Sequence, residues 1–283
     1  MSEDTSIAAD LARPSASELE ALAVDLAVSA GALAVQRRTR GLQVDTKSSV
    51  TDVVTDVDRA VEEFLRAEIL RFRPADSVLG EEGGDQRRAA SPVRWLVDPI
   101  DGTVNFMLGL PQYAVSVAAE IDGQVVAGCV TNPVSGDVFR AARGHGAYRN
   151  DIRLHGPRMV PLEQAVIATG FGYDASHRSR QAGVVAKLAG RVGNLRRLGS
   201  AALDLCALAT GWVDGYFEGP LGEWDLAAGV LIASEAGASL SGLNGLPPGP
   251  DMVAGAHPAN AEEFFALLVE LGADEVSRRF GES

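Results

Sequence analysis

Cysteine and histidine are both scarce in this chain of 283 residues, which contains two of the first and four of the second. Cys129 and Cys206 lie in apolar stretches, so we expect buried small hydrophobes of a reducing compartment rather than a disulfide. None of the histidines has a His or Cys partner at ligand spacing, which argues against a zinc site. They are His145, His155, His177 and His257.

Positive charge is also in short supply. There are 25 Lys and Arg residues against 38 Asp and Glu residues, so the formal net charge is −13. This balance argues against direct binding to nucleic acid or to an anionic membrane. If the substrate is itself an anion, bound metal ions must reverse the negative local field.

The sequence lacks a long apolar run, and its first residues, MSEDTS, lack the basic region of a signal peptide. We therefore expect neither a membrane anchor nor a leader, and a cytoplasmic location follows as the default. Residues 1–16 are predicted to form a flexible N-terminal tail, and Ser17 with Glu20 is predicted to cap the first helix. No nucleophile elbow and no Walker-type loop occur in the sequence.

The most informative stretch is WLVDPIDGTVNF, residues 95–106. It is predicted to begin as an apolar strand that ends in Asp98, after which Pro99 forces a turn and Asp101 follows. Two carboxylates at the end of a buried strand are costly to leave without a cation, and Mg²⁺ favours such oxygen ligands. The alternative is an ordinary turn, since Asp, Pro, Gly and Thr are all common turn residues.

Further carboxylates also fall at the ends of predicted elements. Glu81 follows a short strand and lies in a glycine-rich loop, where such a residue is often merely solvated. Asp58 falls in the first turn of a helix, where the helix dipole alone would account for it. Asp225 is a plausible N-cap for a helix that begins at about Leu226.

The second half offers one candidate ligand site before its apolar helix. Gly199-Ser200-Ala201 opens that helix, and small residues there leave N–H groups available to an anion or a hydroxyl-rich ligand. Ser200 could equally be a plain N-cap. Glu218 ends a later predicted strand.

Four of these carboxylates, Glu81, Asp98, Asp101 and Asp225, have no matching Lys or Arg cluster. If they converge, they fit two or three Mg²⁺ ions. Two such ions ~3.5–4 Å apart suit in-line phosphoryl transfer to water.

The chain resembles the inositol monophosphatase family of Mg²⁺-dependent, lithium-sensitive phosphatases. WLVDPIDGTVNF matches the first family signature, W-x-x-D-P-x-D-G-T-x-N-F, and WDLAAGVLIASEAG matches the second, W-D-x-A-A-G. LGEEGG and TDVVTDVD also match, in the family's order. The similarity covers about residues 19–273.

The resemblance implies a role for each matching position. Glu81, Asp98 and the Ile100 carbonyl would hold a first metal ion, Asp98, Asp101 and Asp225 a second, and Glu81 a third, weaker one. Thr103, paired with Asp58 and near Glu81, would activate the attacking water, so Asp58 becomes a functional candidate. The backbone of Gly102 and Thr103 would hold the phosphate. The alcohol would contact Gly199, Ala201, Glu218 and Asp225.

The resemblance also implies an α/β (α+β) fold, a layered α-β-α-β-α sandwich, and a homodimer. We expect residues 17–283 to form one phosphatase unit of two packed halves. Residues 17–155 would be the metal-binding half, and residues 156–283 the substrate-binding half.

The expected reaction is hydrolysis of inositol-1-phosphate to inositol and phosphate by in-line attack of a Mg²⁺-activated water. Glu218 after Tyr216-Phe217, together with Gly199-Ser200-Ala201, favours this substrate. Relatives with both signatures also hydrolyse histidinol phosphate, fructose-1,6-bisphosphate or 3′-phosphoadenosine nucleotides, and these substrates remain alternatives. A different alternative is a regulatory protein with residual catalysis, since some bacterial relatives bind the transcription machinery.

Overall fold

A computed structural model describes residues 13–47, 52–88 and 91–276. The helices are α1 Ala16–Arg38, α2 Asp56–Phe72, α3 Thr103–Leu108, α4 Ala175–Leu188, α5 Ala201–Thr210, α6 Glu223–Glu235, α7 Pro258–Glu270 and α8 Ala273–Val276, with a 3₁₀ turn at Leu162–Gln164. The strands are β1 Val44–Thr46, β2 Val53–Thr55, β3 Ser77–Gly80, β4 Gly84–Gln86, β5 Val93–Asp101, β6 Ala114–Ile121, β7 Gln124–Asn132, β8 Asp137–Ala142, β9 Ala147–Arg149, β10 Ile152–Arg153, β11 Val166–Thr169, β12 Asn194–Arg196, β13 Gly215–Glu218, β14 Ser239–Ser241 and β15 Val253–Ala256.

The larger sheet has eight strands in the order β10-β9-β8-β7-β6-β5-β3-β4. Strands β5 to β10 form an antiparallel meander, and β3 joins it parallel to β5. Asp122 and Gly123, the two residues between β6 and β7, have φ values of 51° and 78°. Both central residues of a tight hairpin turn require such positive φ angles, and this Asp-Gly dipeptide closes the hairpin of β6 and β7.

The smaller sheet has five strands in the order β12-β11-β13-β15-β14. Strand β11 is parallel to both β12 and β13, whereas β15 is antiparallel to its neighbours. The parallel strands β11 and β13 therefore end at the same edge, where Thr169 pairs with Phe217. Glu218, the last residue of β13, lies at that edge.

The helices and sheets alternate in five layers, which confirms the layered α-β-α-β-α sandwich. Helices α1 and α2 cover one face of the large sheet, and α5 and α6 fill the space between the two sheets. Helices α4 and α7 cover the outer face of the small sheet. The apolar core divides into three clusters, which contain Trp95, Tyr216 and Phe264 respectively, all three at most 1 % exposed.

The first helix begins earlier than predicted. Ser15, not Ser17, is its N-cap, and the partner in the capping box is Glu18 rather than Glu20, with Glu18 N 3.2 Å from Ser15 Oγ. The pattern S-x-x-E occurs twice here, two residues apart, and the first copy is the one that caps the helix. Residues 1–12 of the predicted tail lie outside the described residues.

Two further boundaries differ from the prediction. Strand β5 does not end in Asp98 but continues to Asp101, with a register shift against β6 between these residues. Helix α6 begins at Glu223 rather than Leu226.

Among the described residues, no helix combines the length and the apolar composition needed to cross a bilayer. The division at residues 155 and 156 stays a prediction.

Candidate active site

One solvent-open cavity of about 1390 Å³ gathers nearly all the predicted site residues. Those that line it are Glu81, Asp98, Ile100, Asp101, Gly102, Thr103, Gly199, Ala201, Glu218 and Asp225. Asp58, the remaining predicted residue, lies directly behind the wall and contacts Thr103. The large sheet, the small sheet and the central helices each contribute to this cavity.

The irregular end of β5 places Asp98 at the floor of the cavity. Asp98 is 1 % exposed, and its Oδ1 accepts a hydrogen bond from the Ile100 N–H over 2.9 Å. Burial raises the pKa of Asp98 well above its usual value, and the Glu81, Asp101 and Asp225 carboxylates raise it further. The Asp98 and Asp225 side chains also interact with each other.

Asp101 ties the large sheet to helix α5. Its Oδ2 accepts hydrogen bonds from Ser200 Oγ over 2.6 Å and from Ala202 N over 2.7 Å. Burial raises the pKa of Asp101 to about 6, although these hydrogen bonds and Arg197 lower it. Asp101 therefore accepts hydrogen bonds from N–H groups at the start of α5, while Gly199 and Ala201 still line the cavity. Ser200 is the N-cap, as its alternative interpretation predicted.

Asp225 is the third residue of α6, and it is not the N-cap. The helix begins two residues before it, and Asp225 Oδ2 accepts a hydrogen bond from the Gly222 N–H over 2.7 Å. A carboxylate in the first turn reaches back in this way to the N-cap backbone. Burial raises the pKa of Asp225 well above its usual value, and Glu81 and Asp101 add to the effect.

Glu81 follows β3 and faces a lysine. Lys47 Nζ lies 2.7 Å from Glu81 Oε1 and also contacts Glu82. Burial raises the pKa of Glu81 to about 7, although Lys47 lowers it. Burial alone would lower the pKa of Lys47, but the two glutamates raise it above its usual value.

Thr103 and Asp58 form a buried pair beside this carboxylate group. Thr103 Oγ1 lies 3.1 Å from Asp58 Oδ1 and 3.1 Å from the Ile100 carbonyl oxygen. Asp58 is fully buried, and the Thr55 N–H donates to its other oxygen over 2.9 Å. Burial raises the pKa of Asp58, while its hydrogen bonds from Thr55 lower it.

Gly102 allows the chain to turn from β5 into α3. Its φ is +94°, a conformation that strains any residue with a Cβ atom. A Cβ at this position would also lie 3.0 Å from the Gly199 carbonyl oxygen and 3.1 Å from that of Gln112. The two predicted segments, around Gly102 and Gly199, are therefore in direct contact.

Glu218 forms the opposite wall of the cavity. The Tyr216 hydroxyl donates a hydrogen bond to Glu218 Oε2 over 2.9 Å. The Glu218 carboxylate packs on Gly170, where an added Cβ would overlap it. Burial raises the pKa of Glu218 to about 7, and Tyr216 lowers it.

The chemistry of this donor set fits a hard divalent cation. Four carboxylates and the Ile100 carbonyl supply oxygen ligands, and burial raises the pKa of each carboxylate, which favours a bound cation over several buried negative charges. In the described part of the chain, no three acidic, histidine or cysteine side chains already enclose a metal position. Lys47, the start of α5 and Gly222 instead hold Glu81, Asp101 and Asp225 by hydrogen bonds.

Several residues that line the cavity have no functional role in the sequence prediction. They are Lys47, Phe171, Tyr173 and Arg197. Asp204, in the first turn of α5, is fully buried, and neither of its carboxyl oxygens has a hydrogen-bond partner among the described residues. Only the tertiary fold brings these residues to the site, so their local sequence carries no signal for it.

The site is an acidic cavity between two sheets with an Asp-Thr pair beside it. These features are typical of hydrolytic enzymes that depend on a bound cation. Comparisons with known proteins narrow this class. The sequence model of the inositol monophosphatase family matches residues 15–273. The chain therefore belongs to the inositol monophosphatase family, a family of phosphoric monoester hydrolases that are generally metal-dependent.

Individual relatives agree with this assignment. An inositol-1-monophosphatase of Mycobacterium leprae is 43 % identical over 271 residues, which cover 89 % of this chain and 93 % of the relative. The solved structure of Mycobacterium tuberculosis SuhB superposes with a TM-score of 0.78 at 38 % identity, covering 92 % of this chain and 99 % of that one. A relative from Escherichia coli, named Nus factor SuhB, is 40 % identical over 195 residues, covering 69 % of this chain and 73 % of the relative.

Proposed function

We propose that this protein is a Mg²⁺-dependent phosphomonoesterase that hydrolyses inositol-1-phosphate to inositol and phosphate. The observation that carries the proposal is the convergence of Glu81, Asp98, Asp101 and Asp225 in one cavity, next to the Thr103–Asp58 pair. Several relatives are named inositol-1-monophosphatase, which supports a substrate of this kind.

Glu81, Asp98 and the Ile100 carbonyl would hold one Mg²⁺ ion, and Asp98, Asp101 and Asp225 a second, with a third, weaker ion at Glu81. When bound, Mg²⁺ supplies the positive charge that lowers the pKa of an attacking water and stabilises the leaving oxygen. The proposal requires Lys47 to release Glu81, because its ammonium group now lies 2.7 Å from that carboxylate.

The other residues position the reactants and move a proton. Thr103 accepts a hydrogen bond from the attacking water and passes a proton towards Asp58, with Glu81 close by. Burial raises the pKa of Asp58, and a base with a raised pKa holds a proton better during attack. The backbone of Gly102 and Thr103 binds the phosphate, while Gly199, Ala201, Glu218 and Asp225 contact the hydroxyl groups of inositol.

The experiment is phosphate release from a panel of substrates, with and without Mg²⁺. The panel contains inositol-1-phosphate, histidinol phosphate, fructose-1,6-bisphosphate, 3′-phosphoadenosine-5′-phosphate and glycerol-2-phosphate. Mg²⁺-dependent turnover with the highest kcat/KM on inositol-1-phosphate is the expected result. A different leading compound would replace the substrate, and no turnover on any compound would contradict the proposal as a whole.

Two finer properties are part of the proposal. Li⁺ is expected to inhibit turnover by competing for a Mg²⁺ position, and the active form is expected to be a homodimer. Inhibition curves with LiCl, against KCl as the control, test the first property. Light scattering during size-exclusion chromatography tests the second, and a monomer of 29.6 kDa would contradict it.

A second candidate function is regulation through protein binding, which the name of the Escherichia coli relative suggests. A variant with Asp101→Asn separates the two functions in cells, because the proposed catalysis requires this carboxylate. Loss of the biological role would favour catalysis. Retention of that role without phosphatase activity would favour regulation.

A further inference from the structure

Two cationic side chains line the cavity within the described residues, and they differ in their surroundings. Lys47 is held by Glu81 and Glu82. Arg197 is exposed, and no described residue forms a hydrogen bond or an ion pair with its guanidinium. A guanidinium without a protein partner at the wall of a ligand cavity is available to an anion.

The backbone beneath Arg197 fixes where its guanidinium lies. Gly199 has a φ of +90°, and a Cβ at this position would lie 2.6 Å from Arg197 Nη1. Glycine therefore lets the guanidinium lie against the same chain segment that we propose to contact the alcohol. Arg197 is thus placed at the alcohol end of the cavity.

The charge of Arg197 acts on the walls around it. It lowers the pKa of Glu218, which burial raises. It also lowers the pKa of the buried Asp204. Elsewhere the cavity wall carries carboxylates, so a second anionic group of a substrate would be repelled unless it lay beside Arg197.

We propose that Arg197 is a specificity-determining residue that binds a second anionic group, such as a second phosphate, on the alcohol portion of a phosphomonoester. The planar guanidinium can donate two parallel hydrogen bonds to such a group. Arg197, Gly102 and Thr103 line the same cavity, so one substrate molecule can face both positions. This inference rests on the proposed function, because it assumes that the first phosphate binds at Gly102 and Thr103.

The test compares fructose-1,6-bisphosphate with fructose-1-phosphate, which differ only in the second phosphate. In Arg197→Gln, the ratio of their kcat/KM values is expected to shift against the bisphosphate by about tenfold or more, through KM. Arg197→Lys keeps the charge but not the two-pronged geometry, so an intermediate ratio is expected. Arg196→Gln is the matched control, because Arg196 Nη1 bonds to Asn194 Oδ1 and the Leu195 carbonyl, and its ratio should stay at the wild-type value.

Binding measurements separate this inference from the proposed function. Dissociation constants of the two fructose phosphates are measured by calorimetry in a Thr103→Ala background, with and without Arg197→Gln. A selective loss of bisphosphate affinity supports the inference even if the wild type hydrolyses neither compound, in which case the proposed function fails alone. Equal changes for both compounds, no change, or no binding of either compound would overturn it.

Discussion

The Thr103 hydroxyl lies 3.1 Å from Asp58 Oδ1, although 45 residues separate the two in the sequence. Each residue is set at the start of a helix, Asp58 in the first turn of α2 and Thr103 as the first residue of α3. Thr55 holds the other oxygen of Asp58, so the carboxylate cannot turn away. This relationship gives the cavity a positioned proton acceptor next to its acidic cluster.

Replacing the Thr103 hydroxyl should lower the rate without removing substrate binding. Thr103→Val keeps the shape of the side chain, and kcat is expected to fall by about 100-fold or more, which is typical of lost acid–base catalysis. Thr103→Ser keeps the hydroxyl and should stay within about tenfold of wild type. Steady-state kinetics on inositol-1-phosphate measure both variants. Equal kcat values for the Val and Ser variants would show that the hydroxyl has no role.

Neutralising one carboxylate of the cluster should lower the activity without lowering the stability of the fold. Asp98→Asn keeps an acceptor for the Ile100 N–H but removes a charge that Glu81, Asp101 and Asp225 repel. Metal-free Asp98→Asn should therefore unfold at the same temperature as wild type or a higher one, while kcat falls by about 100-fold or more because a metal ligand is lost.

The control for this variant is Glu223→Gln, on the same helix as Asp225. Glu223 is exposed and pairs with Arg94. Both its activity and its unfolding temperature should stay close to wild type, since exposed ion pairs contribute little. A marked loss of stability in metal-free Asp98→Asn would mean that the carboxylates do not repel each other as described.

The stability of the metal-free protein should depend on pH through the same cluster. Burial raises the pKa of Glu81 and of Glu218 to about 7 from 4.5, and that of Asp101 to about 6 from 3.8. The folded state thus holds protons more tightly than the unfolded state, so the stabilisation is complete below about pH 4 and is lost as pH rises through 6 to 7.

Thermal unfolding in EDTA between pH 4 and pH 8 measures this trend. Asp98→Asn is the comparison, because it lacks one carboxylate of the cluster. Its unfolding temperature should depend less steeply on pH. Added Mg²⁺ should raise the unfolding temperature more at pH 8 than at pH 5, because it binds the deprotonated carboxylates. A Mg²⁺ effect that is larger at pH 5 would contradict the description of the cluster.

Substrate preference should depend on the residues that hold Glu218. Tyr216→Phe removes the hydrogen bond to Glu218 Oε2, and Gly170→Ala places a methyl group where the carboxylate lies. We expect KM for inositol-1-phosphate to rise about 3- to 10-fold, the range of one hydrogen bond, with little change on glycerol-2-phosphate.

Glu218→Gln should change preference in the same direction as these two variants. It keeps the shape of the side chain but removes the charge that we propose contacts inositol hydroxyls. Steady-state kinetics on inositol-1-phosphate and glycerol-2-phosphate measure this preference. If all three variants lose activity equally on both compounds, Glu218 supports the fold of the site and does not select the substrate.

Much of this site could be predicted because its residues lie at ends of elements that local sequence marks clearly. Glu81 follows an apolar strand, and Asp98 and Asp101 fall within one short motif next to a buried tryptophan. The order of the layers could not be predicted in this way, because the apolar spacing of a helix does not indicate which sheet the helix covers. That order came from the resemblance to a family and not from the pattern.

Other features could not be predicted because they depend on long-range contacts. Asp101 accepts a hydrogen bond at the start of α5 from 99 residues away, which no local pattern around Ser200 indicates. Lys47 meets Glu81 only because β1 and β3 are brought together by the fold. The predicted N-cap at Asp225 was wrong by three residues, because a glycine at the cap leaves no side-chain signal and the carboxylate reaches back from the third helical position.

The most direct measurement of the central claim is phosphate release from inositol-1-phosphate as a function of Mg²⁺ concentration, in wild type and in Asp98→Asn after EDTA treatment. The account predicts no turnover by either protein without Mg²⁺, and saturable recovery of turnover by wild type alone. Equal turnover by the two proteins at saturating Mg²⁺, or full wild-type turnover in EDTA, would contradict it.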